Sequence, residues 1–502
     1  MIFYSLKIDS MPELALAVSI EAENYKFDRI LKAKKEIIEI SVNTKGEYVN
    51  IWEGREFHVR ERDLTVWMPD IICSAKAEKD AEYEFISVAF EAEKFDFERF
   101  ECESIEECNV VDAYSKDGTL YFDYTFEGEQ EWFIEFRTKN GPEDYLKHYN
   151  KWQNMFRDIW GRTGWDNFRY DFRVYSLLPD LYELTPFRGD LHTHTDYSDG
   201  SDIPEIFCAN YRGFGYDFIA VTDHYDYSGS QRAIEKMSEL ETNFTVFPGE
   251  EVHVIPSGGR FHVVNFNGKA SVNTKILDNY EGVKSEVFEL AKEIDGLSER
   301  DAQELAWTYW ITKEIRKVGG LSIYAHPFDC VCHAYNCPTN ITIEALKRNY
   351  VDVYEILNCA DSQIEDLTTS LYYDLRSQGL KIPIVGSTDS HLSTDYGQGH
   401  HTADFSTIVF AKSIDEVPDA IMDLRSVAVS HPLGEETHIH GSFRLVKYAY
   451  FLMDNFYRLH ADRCKASSTL MLEYFRGDKS LKPAIEAAER KIIEYKKAFF
   501  GK

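Results

Sequence analysis

Arg188-Gly-Asp-Leu-His-Thr-His-Thr-Asp-Tyr-Ser-Asp-Gly200 carries two histidines one residue apart, followed by an aspartate in a turn. In an extended segment, residues i and i+2 point to the same face, so His192 and His194 can present both imidazoles to one ion. Ser198-Asp-Gly200 has the composition of a turn, where Asp199 can hold a neighbouring ion. The stretch therefore predicts a metal site, and a His-rich loop is the alternative for an isolated His-x-His pair.

The composition of the chain limits its class. With 502 residues, of which 44% are hydrophobic, the sequence is long enough for two or three domains with substantial cores. Its 55 basic and 86 acidic side chains give a formal charge of 55 − 86 = −31. This acidic surface disfavours a protein that binds long nucleic acid by neutralising phosphates. A small phosphorylated ligand remains compatible with it, because bound cations reverse the field locally.

The cysteines and the N-terminus indicate a reducing, cytoplasmic setting. Nine cysteines is an odd number, and their spacing is not that of a small disulfide-bonded domain. The first residues, Met-Ile-Phe-Tyr-Ser-Leu-Lys, lack the basic and then apolar pattern of a signal peptide. No apolar run approaches the length of a membrane span. We therefore expect a cytoplasmic protein without membrane contact.

The region 1–140 is predicted to be rich in β-strands. Aromatic and acidic residues alternate there, as in Tyr48–Trp52 and Tyr83–Phe90, which is typical of strands with one buried face. The expected architecture is a small antiparallel sandwich. Core packing accounts for the aromatic residues, and a sugar-binding face is the alternative.

The end of this region is predicted to contain a β-hairpin followed by helix. Leu120–Phe126 and Trp132–Phe136 alternate on either side of Glu127-Gly-Glu129, as paired strands do around a turn. Residues 141–185, with Tyr145–Trp152 at helical spacing, are predicted to form a helical connector.

Between residues 186 and 435, short and nearly continuous apolar runs alternate with segments of helical period. Strands without polar alternation that take turns with helices imply a parallel sheet buried on both faces. With the strand that leads into His194 there are seven such runs, which suggests a barrel. The other runs are Asp217–Thr222, Phe244–Phe247, Phe261–Phe266, Leu321–Ala325, Val351–Leu357 and Ile382–Val385, and helices are predicted at Gln231–Glu241, Arg300–Val318 and Gln363–Gln378.

Residues 436–502 form a segment predicted to be helical. Apolar residues recur at helical spacing in Phe443–Met453 and again in Leu481–Tyr495. Such a segment either packs on the barrel or forms a dimer contact, so the oligomeric state stays open.

Metal-ligand residue types follow most of the apolar runs in the middle region. Parallel α/β folds place their sites at the carboxyl ends of their strands, so these side chains are expected to meet at one end of the barrel. A single histidine after a strand is usually a core residue, but the same pattern on several strands makes coincidence a poor explanation. The motifs are Thr222-Asp-His224, Pro248-Gly-Glu-Glu251, His326-Pro327 and Gly386-Ser-Thr-Asp-Ser-His391.

Together and in this order, the motifs resemble those of the polymerase and histidinol phosphatase (PHP) family. The resemblance covers about residues 186–435. It implies a distorted (β/α)7 barrel, similar to a TIM barrel, that holds two or three divalent ions, usually zinc, manganese or iron. It also implies phosphoester hydrolysis. The matching elements are Asp190–Gly200, Thr222-Asp-His224, Gly249-Glu-Glu251, His262-Val-Val, Ala325-His-Pro327 and Asp389-Ser-His391.

Carried onto this sequence residue by residue, the resemblance implies up to three ion positions. The first position is the expected catalytic one, and a glutamate bridges it to the second. No ligand position of the family pattern is lost here. The implied ligands are His192, His194, Glu251 and Asp389 for the first ion, Glu251, His262 and His326 for the second, and Asp199, His224 and His391 for the third.

Two of these ligands have neighbouring alternatives. Glu250 and Glu251 are adjacent, and strand alternation allows only one of them to face the ions; the family spacing favours Glu251. His253 lies two residues beyond Glu251 on the same face and is an alternative to His262. We favour His262 because it opens the apolar run Val263–Phe266, as in the family.

The residue types support this chemistry independently of the resemblance. Mixed histidine and carboxylate ligands suit zinc, manganese and iron, whereas calcium prefers an all-oxygen shell. Clustered ions lower the pKa of a bridging water to give a metal-hydroxide nucleophile, and they clamp the attacking and leaving oxygens of an in-line displacement. Phosphoryl transfer requires mainly this positioning and charge neutralisation, so no Ser or Cys nucleophile is needed.

Supporting residues are also predicted around the ligands. Asp190 and Asp223 are expected to accept the second N–H of a ligating imidazole. Glu355 and Asn358 close the sixth strand and are candidates to face the site.

Two further residues are candidates for contacts with substrate. Phosphate oxygens require a cationic or hydrogen-bonding partner besides the ions. Arg260, just before His262, is the first candidate for such a partner, and His431 is the second.

The sequence therefore predicts a metal-dependent phosphatase or phosphodiesterase that acts on a small phosphorylated substrate. One alternative is a metal-dependent hydrolase of C–N or C–O bonds on a related barrel; the glutamate at position 251, where a carboxylated lysine would indicate that chemistry, argues against it. The other alternative is a binding module that keeps its ions but turns over little substrate.

Overall fold

The computed structural model describes residues 124–137, 169–253, 261–331, 334–358, 362–394, 404–432 and 436–501, together with the strands that precede residue 122. The chain divides into two compact units. The first comprises Met1–Tyr124 and Glu135–Asp171, and the second comprises Thr125–Ile134 and Phe172–Lys502.

The first unit is built from antiparallel strands, and it includes strands at both predicted positions, Tyr48–Trp52 and Tyr83–Phe90. The strand orders are β2-β9-β4-β7 and β3-β8-β5-β6 in two four-stranded sheets, with β1-β10 and β11-β12 as separate pairs. The strands are β1 Phe3–Ile8, β2 Glu13–Glu23, β3 Lys26–Arg29, β4 Glu36–Lys45, β5 Tyr48–Trp52, β6 Arg55–Val59, β7 Leu64–Trp67, β8 Cys73–Ala77, β9 Glu82–Ala92, β10 Phe95–Phe100, β11 Tyr114–Lys116 and β12 Thr119–Tyr121.

The predicted hairpin and part of the predicted helical connector are wrong. The strand β13 (Gln130–Arg137) forms as expected, but it pairs with β14 (Arg169–Ser176). Trp132 Nε1 donates a hydrogen bond of 2.9 Å to Ser176 Oγ across this pair. Alternating residues indicate which face of a strand is buried and not which strand is its partner. Residues 141–168 of the connector lie outside the described residues.

Two mixed sheets form the centre of the second unit. Their strand orders are β17-β16-β15-β25-β26-β27 and β18-β19-β20-β23-β24, and a short pair, β21-β22, lies apart from them. The strands are β15 Thr185–Asp190, β16 Phe218–Ala220, β17 Thr245–Phe247, β18 Gly249–Val252, β19 His262–Phe266, β20 Leu321–Ala325, β21 Cys330–Val331, β22 Ala334–Tyr335, β23 Val353–Leu357, β24 Ile384–Gly386, β25 Phe405–Ala411, β26 Ser426–Ser430 and β27 His438–His440.

The prediction of a wholly parallel sheet holds for only part of these strands. The pairs β15-β16, β16-β17, β20-β23 and β23-β24 are parallel. In contrast, β19 runs antiparallel to both β18 and β20, and β25 runs antiparallel to β15. The connection from Val252 to His262 is too short for a crossover helix, which needs a dozen or more residues, so the chain must reverse there.

Helices cover the sheets, and all three helices predicted in the middle region are present within four residues of their expected bounds. Ser298 begins the longest of these, because its side chain accepts a hydrogen bond from the backbone N–H of Asp301. The helices are α1 Pro179–Tyr182, α2 Pro204–Gly213, α3 Ser228–Met237, α4 Val272–Asp278, α5 Tyr280–Ala291, α6 Glu299–Lys317, α7 Thr339–Lys347, α8 Ser362–Ser377, α9 Val417–Met422, α10 Phe443–Leu452, α11 Arg458–Phe475 and α12 Lys482–Phe500.

Side chains from both sheets share one buried core. Phe218 and Val409 from the first sheet pack in the same cluster as Val264, Ile323 and Val385 from the second. Their sequence neighbours point the other way and pack under the helices, as alternation along a strand requires. The strands are therefore buried on both faces, which explains their continuous apolar sequence.

The C-terminal helices pack within the second unit. Leu445 and Phe451 of α10 lie against Phe410 and Val427 of β25 and β26. Met471 of α11 joins a cluster with residues of α2. The alternative role of this segment, a dimer contact, is not needed to bury these apolar faces. Among the described helices, none combines the length and apolar character needed to cross a membrane.

Candidate metal centre

The two histidines that follow β15 point into the same buried space. Both His192 and His194 are fully buried, and their Nε2 atoms lie 3.3 and 2.9 Å from Oδ1 of Asp389. Thr193 points away and donates from Oγ1 to the backbone oxygen of Ala220 at 2.8 Å. The predicted alternation of this stretch is therefore present in the structure.

Glu251 lies at the middle of the cluster and contacts histidines from four separate segments. Its Oε2 is 3.3 Å from His192 Nε2 and 3.4 Å from His194 Nε2. Its Oε1 is 2.8 Å from His262 Nδ1 and 3.2 Å from His326 Nε2. One carboxylate with two oxygens facing two pairs of imidazoles has the geometry of a bridge between two cations.

Only one of the two adjacent glutamates faces this cluster. Glu250 points to the opposite side of β18, where it accepts hydrogen bonds from the backbone N–H of Val272 and from Ser271 Oγ at 2.5 and 2.7 Å. Asn265 and Asn273 also donate to its carboxylate. Glu250 is therefore a structural acceptor, as the alternation argument predicts.

A second group of ligand atoms lies around Asp199. His391 Nε2 is 3.3 Å from Asp199 Oδ1, and His224 Nε2 is 3.5 Å from Asp199 Oδ2. His194 Nδ1 is 3.9 Å from the same carboxylate, but the other nitrogen of His194 faces Asp389. The turn that carries Asp199 requires Gly200, because a Cβ there would lie 2.3 Å from the backbone oxygen of His194.

The residues present fit metal ions. Several buried polar atoms in this space have no hydrogen-bond partner, which costs about 1 to 3 kcal/mol for each atom. Atoms left unpaired so close together are explained if they direct lone pairs at cations, with one nitrogen of His194 keeping its proton. The mixed nitrogen and oxygen set suits zinc, manganese or iron. The unpaired atoms are His192 Nε2, His194 Nδ1 and Nε2, Glu251 Oε2, His262 Nδ1 and Asp389 Oδ1.

The carboxylates and two of the imidazoles of the cluster have the protonation states that bind metals. Burial alone would raise the pKa of Glu251 and Asp389, but the surrounding imidazoles outweigh burial and hold both pKa values below their usual range. Burial lowers the pKa of His194 and of His262 to about 4, so both rings are neutral at pH 7. Ionised carboxylates and neutral imidazoles are the forms that coordinate metals.

Three other imidazoles of the cluster favour the protonated form. Burial lowers their pKa values, but the neighbouring carboxylates outweigh burial and raise the pKa values of His192, His224 and His326, the last to about 9. A cation must therefore displace protons from these rings.

Two candidate ligands have strained backbones. His326 and Asp389 have φ angles of 26° and 51°, in a region that residues other than glycine seldom adopt. Hydrogen bonds hold both in place, from the His326 N–H to Glu355 Oε2 at 3.0 Å and from the Asp389 N–H to the oxygen of His192 at 3.0 Å. Such strain typically occurs at functional sites, where the surrounding structure fixes a conformation that the chemistry needs.

Glu355 supports two of the candidate ligands from behind. Its Oε1 lies 3.1 Å from Nδ1 of His192, and its Oε2 accepts from the backbone N–H of His326 and from Asn358 Nδ2. The side-chain amide of Asn336 lies 3.1 Å from Nδ1 of His326. Asn336 was not predicted from the sequence, because it comes from the loop after β20 and no motif marks it.

We expect Glu355→Gln to weaken metal binding by roughly 10- to 100-fold, because a carboxylate that orients a ligating imidazole contributes this much. The affinity can be measured by competition with a chromophoric chelator. A matched control is Glu344→Gln, which removes a carboxylate that pairs with Arg348 elsewhere on the chain. Equal affinities of the Glu355 and Glu344 variants would contradict the proposed support.

The roles predicted for Asp190 and Asp223 are wrong. Asp190 accepts from the backbone N–H of His192, from Thr388 Oγ1 and from Tyr211 Oη. Asp223 accepts from the N–H and hydroxyl of Thr195 and from Ser198 Oγ, between 2.6 and 2.8 Å. Both carboxylates bond to backbone and hydroxyl groups in place of imidazoles. They fix the loops that carry the histidines.

Of the two predicted substrate-binding residues, the structure describes only His431, which lies away from the centre. Arg260 lies outside the described residues. His431 Nδ1 contacts Thr437 Oγ1, and its backbone N–H donates to the oxygen of Asp404. Neither of these partners belongs to the cluster around Glu251.

Comparison with known proteins agrees with the motifs. The PHP domain family model matches residues 190–308. The DNA polymerase/3'-5' exonuclease PolX of Bacillus subtilis is 32% identical over 101 residues, a match that spans 18% of this chain and 18% of that protein. The match therefore spans less than a fifth of either protein.

Solved structures with some likeness to this chain include a two-domain protein of Bacteroides vulgatus with a PHP-like metal-dependent phosphoesterase (18% identity, TM-score 0.34, covering 51% of this chain and 68% of that one). Another is an amidohydrolase of Chromobacterium violaceum, with 15% identity and a TM-score of 0.29, covering 41% of this chain and 87% of that one. A third is described as a metal-dependent phosphoesterase of Bifidobacterium adolescentis, with 15% identity and a TM-score of 0.32, covering 43% of this chain and 91% of that one. Because these TM-scores are low, the likeness to the PHP family rests on the family-model match, which covers residues 190–308.

Proposed function

We propose that this chain is a metal-dependent phosphoesterase that hydrolyses a small phosphorylated substrate. The observation that carries the proposal is the convergence of histidine and carboxylate side chains from several segments of the chain on one cluster, with several of its buried polar atoms left unpaired. The PHP domain match supports the same chemistry.

We assign the ligands to three ions as the resemblance implies. Ligand atoms lie within 4.8 Å of one another in a group of His192, His194 and Asp389, in a group of His192, Glu251 and His326, and in a group of His194, Asp199, His224 and His391. His262 Nδ1 lies 2.8 Å from Glu251 Oε1. The sets are His192, His194, Glu251 and Asp389 for the first ion, Glu251, His262 and His326 for the second, and Asp199, His224 and His391 for the third.

Bound divalent ions would activate water and neutralise charge on a phosphoryl group. The protein supplies the positioning. Glu355 and Asn336 hold the rings of His192 and His326 at fixed angles. Asp223 and Asp190 hold the loops after β15 and β24. Because the ligand side chains around Glu251 are largely buried and are held by hydrogen bonds before substrate arrives, little reorganisation is needed during the reaction.

The charge of the chain favours a small substrate. A net charge of −31 repels an extended polyanion, whereas one phosphoryl group can be accommodated where cations outweigh the local negative charge. We propose a cytoplasmic setting, and zinc, manganese and iron are the candidate metals.

We also propose that the two sheets of the second unit close into a distorted (β/α)7 barrel. Isolated parallel bridges join them at Thr193–Ser390 and at His224–Glu251, and the shared core supports closure. For the β-rich first unit we propose a sandwich architecture.

The proposal is tested by removing the metals with a chelator and then restoring zinc, manganese or iron. We expect hydrolysis of phosphomonoesters or phosphodiesters to disappear and return with the metal. Thermal stability should rise with the metal, by about 2.7 kcal/mol at a free concentration 100 times the Kd. Metal binding without turnover of any phosphoester would favour a binding module, and turnover of amides alone would favour a C–N hydrolase.

A further inference from the structure

His253 is a histidine of this centre that the nine assigned ligands do not include. It follows β18, is nearly buried, and its Nε2 lies 3.5 Å from Glu251 Oε2. The same nitrogen contacts Nδ1 of His224. Its ring packs on that of His262, with 3.7 Å between the ring centroids. His253 and His262 are therefore both in place beside Glu251, and neither substitutes for the other.

The two nitrogens of His224 face different sets of ligand atoms. Nε2 lies 3.5 Å from Asp199 Oδ2, on the side of His391. Nδ1 lies 2.8 Å from Glu251 Oε2, on the side of His253. A neutral imidazole has a lone pair on one nitrogen and a proton on the other. The neutral ring can therefore coordinate an ion on the Asp199 side or on the Glu251 side, but not on both sides at once.

We propose that the third ion has two alternative positions, selected by the tautomer of His224. The outer position is the one formed by Asp199, His391 and His224 Nε2. The inner position is formed by His253 Nε2, Glu251 Oε2 and His224 Nδ1, which also lie within 4.8 Å of one another. This inference rests on the proposed function, because it requires the centre to bind ions.

Two of the three spacings in the inner group suit a cation. Ligand atoms about 2.0 to 2.2 Å from a zinc ion are separated by roughly 3 to 4 Å. The distances of 2.8 and 3.5 Å from Glu251 Oε2 to the two histidine nitrogens are close to this range. The two nitrogens contact each other directly, so the rings of His224 and His253 have to separate before both bind one ion. Glu251 would then contact the first ion, the second ion and an ion in the inner position, but not an ion in the outer position. Because His224 is common to both positions, the centre holds no more than three ions although its side chains form four groups.

The test uses zinc as the probe and the full chain in four forms. These are the wild type, Asp199→Asn with His391→Asn, His253→Asn alone, and the triple variant. Zinc content is measured after removal of loosely bound metal, and zinc positions are located by anomalous scattering. We expect three ions in the wild type, three in the double variant with one moved to His253 Nε2, three in His253→Asn, and two in the triple variant.

Two ions in the double variant, or three ions there with none near His253, would overturn the inference and leave the phosphoesterase proposal standing. Fewer than three ions in the wild type would overturn both the third assignment and this inference. His438→Asn, at an exposed histidine of β27, is the matched control and should keep three ions.

Discussion

Replacing Asp389 with asparagine is expected to remove the first ion and to lower kcat by on the order of 10³-fold or more, as when a preorganised charge-stabilising group is lost. Asp389 Oδ1 lies 2.9 Å from His194 Nε2 and 3.3 Å from His192 Nε2. An amide is a poor replacement for a carboxylate that must balance the charge of a cation. Asparagine nevertheless tolerates the left-handed backbone at this position, where φ is 51°.

The measurement for Asp389→Asn combines kcat for the best phosphoester substrate with metal content. Asp295→Asn, on an exposed loop, is the matched control for loss of a carboxylate and should keep both values. An Asp389→Asn chain with wild-type turnover and unchanged metal content would contradict the ligand assignment. A folded variant that keeps its ions but loses turnover would indicate that Asp389 contacts the substrate and does not bind a metal ion.

The largest expected effect on stability comes from Glu489→Gln. Glu489 on α12 accepts from Nε and Nη2 of Arg212 on α2, at 3.0 and 2.7 Å, and both side chains are buried. The glutamine removes the nearer counter-charge of a buried guanidinium and leaves Asp217 Oδ1 at 3.8 Å from Nη1. Breaking a buried ion pair in this way typically costs about 3 to 5 kcal/mol. Chemical denaturation should therefore show a large fall in the free energy of unfolding of the second unit.

An exposed ion pair provides the control for this substitution. Glu289 and Lys292 form a pair at 2.6 Å with both side chains about two-thirds exposed. Because solvent screens such a pair, Glu289→Gln should leave the unfolding free energy nearly unchanged. Similar effects of the two substitutions would mean that the buried pair does not hold α12 in place.

The effect of Glu489→Gln should depend on pH. Burial alone would raise the pKa of Glu489, but the guanidinium of Arg212 outweighs burial and lowers that pKa below its usual range. A carboxylate with a lowered pKa in the folded state stabilises the protein above its unfolded pKa, and this stabilisation is lost as the pH falls towards the folded pKa. We therefore expect the difference between wild type and variant to be constant near pH 7 and to shrink below about pH 4.3.

Much of the candidate centre could be predicted from the sequence because its side chains occupy fixed places on strands. His192 and His194 share a face by alternation, and the same argument separates Glu251 from Glu250. Asp389 and His391 follow a buried apolar run, whose end must lie at the same edge as the ends of its parallel neighbours. These predictions depend on local geometry, which a short stretch of residues fixes without knowledge of the rest of the chain.

The partner of each strand could not be predicted in the same way. The sequence of β19 is as apolar as that of its neighbours, yet the strand runs antiparallel to them. Trp132 and Phe136 belong to a strand as expected, but it pairs with Arg169–Ser176. Local sequence patterns indicate which face of a strand is buried, whereas the pairing of strands depends on which distant segments of the chain meet.

The sequence alone therefore determined the ligand types, their order and the faces on which they lie, because these follow from backbone periodicity. Only the tertiary structure decided that Glu355 and Asn336 support the ligating rings, that Asp190 and Asp223 hold loops, and that His253 lies against the second nitrogen of His224. Contacts of this kind join residues far apart in the chain, and hydrogen-bond direction and ring orientation become defined only when the segments are packed together.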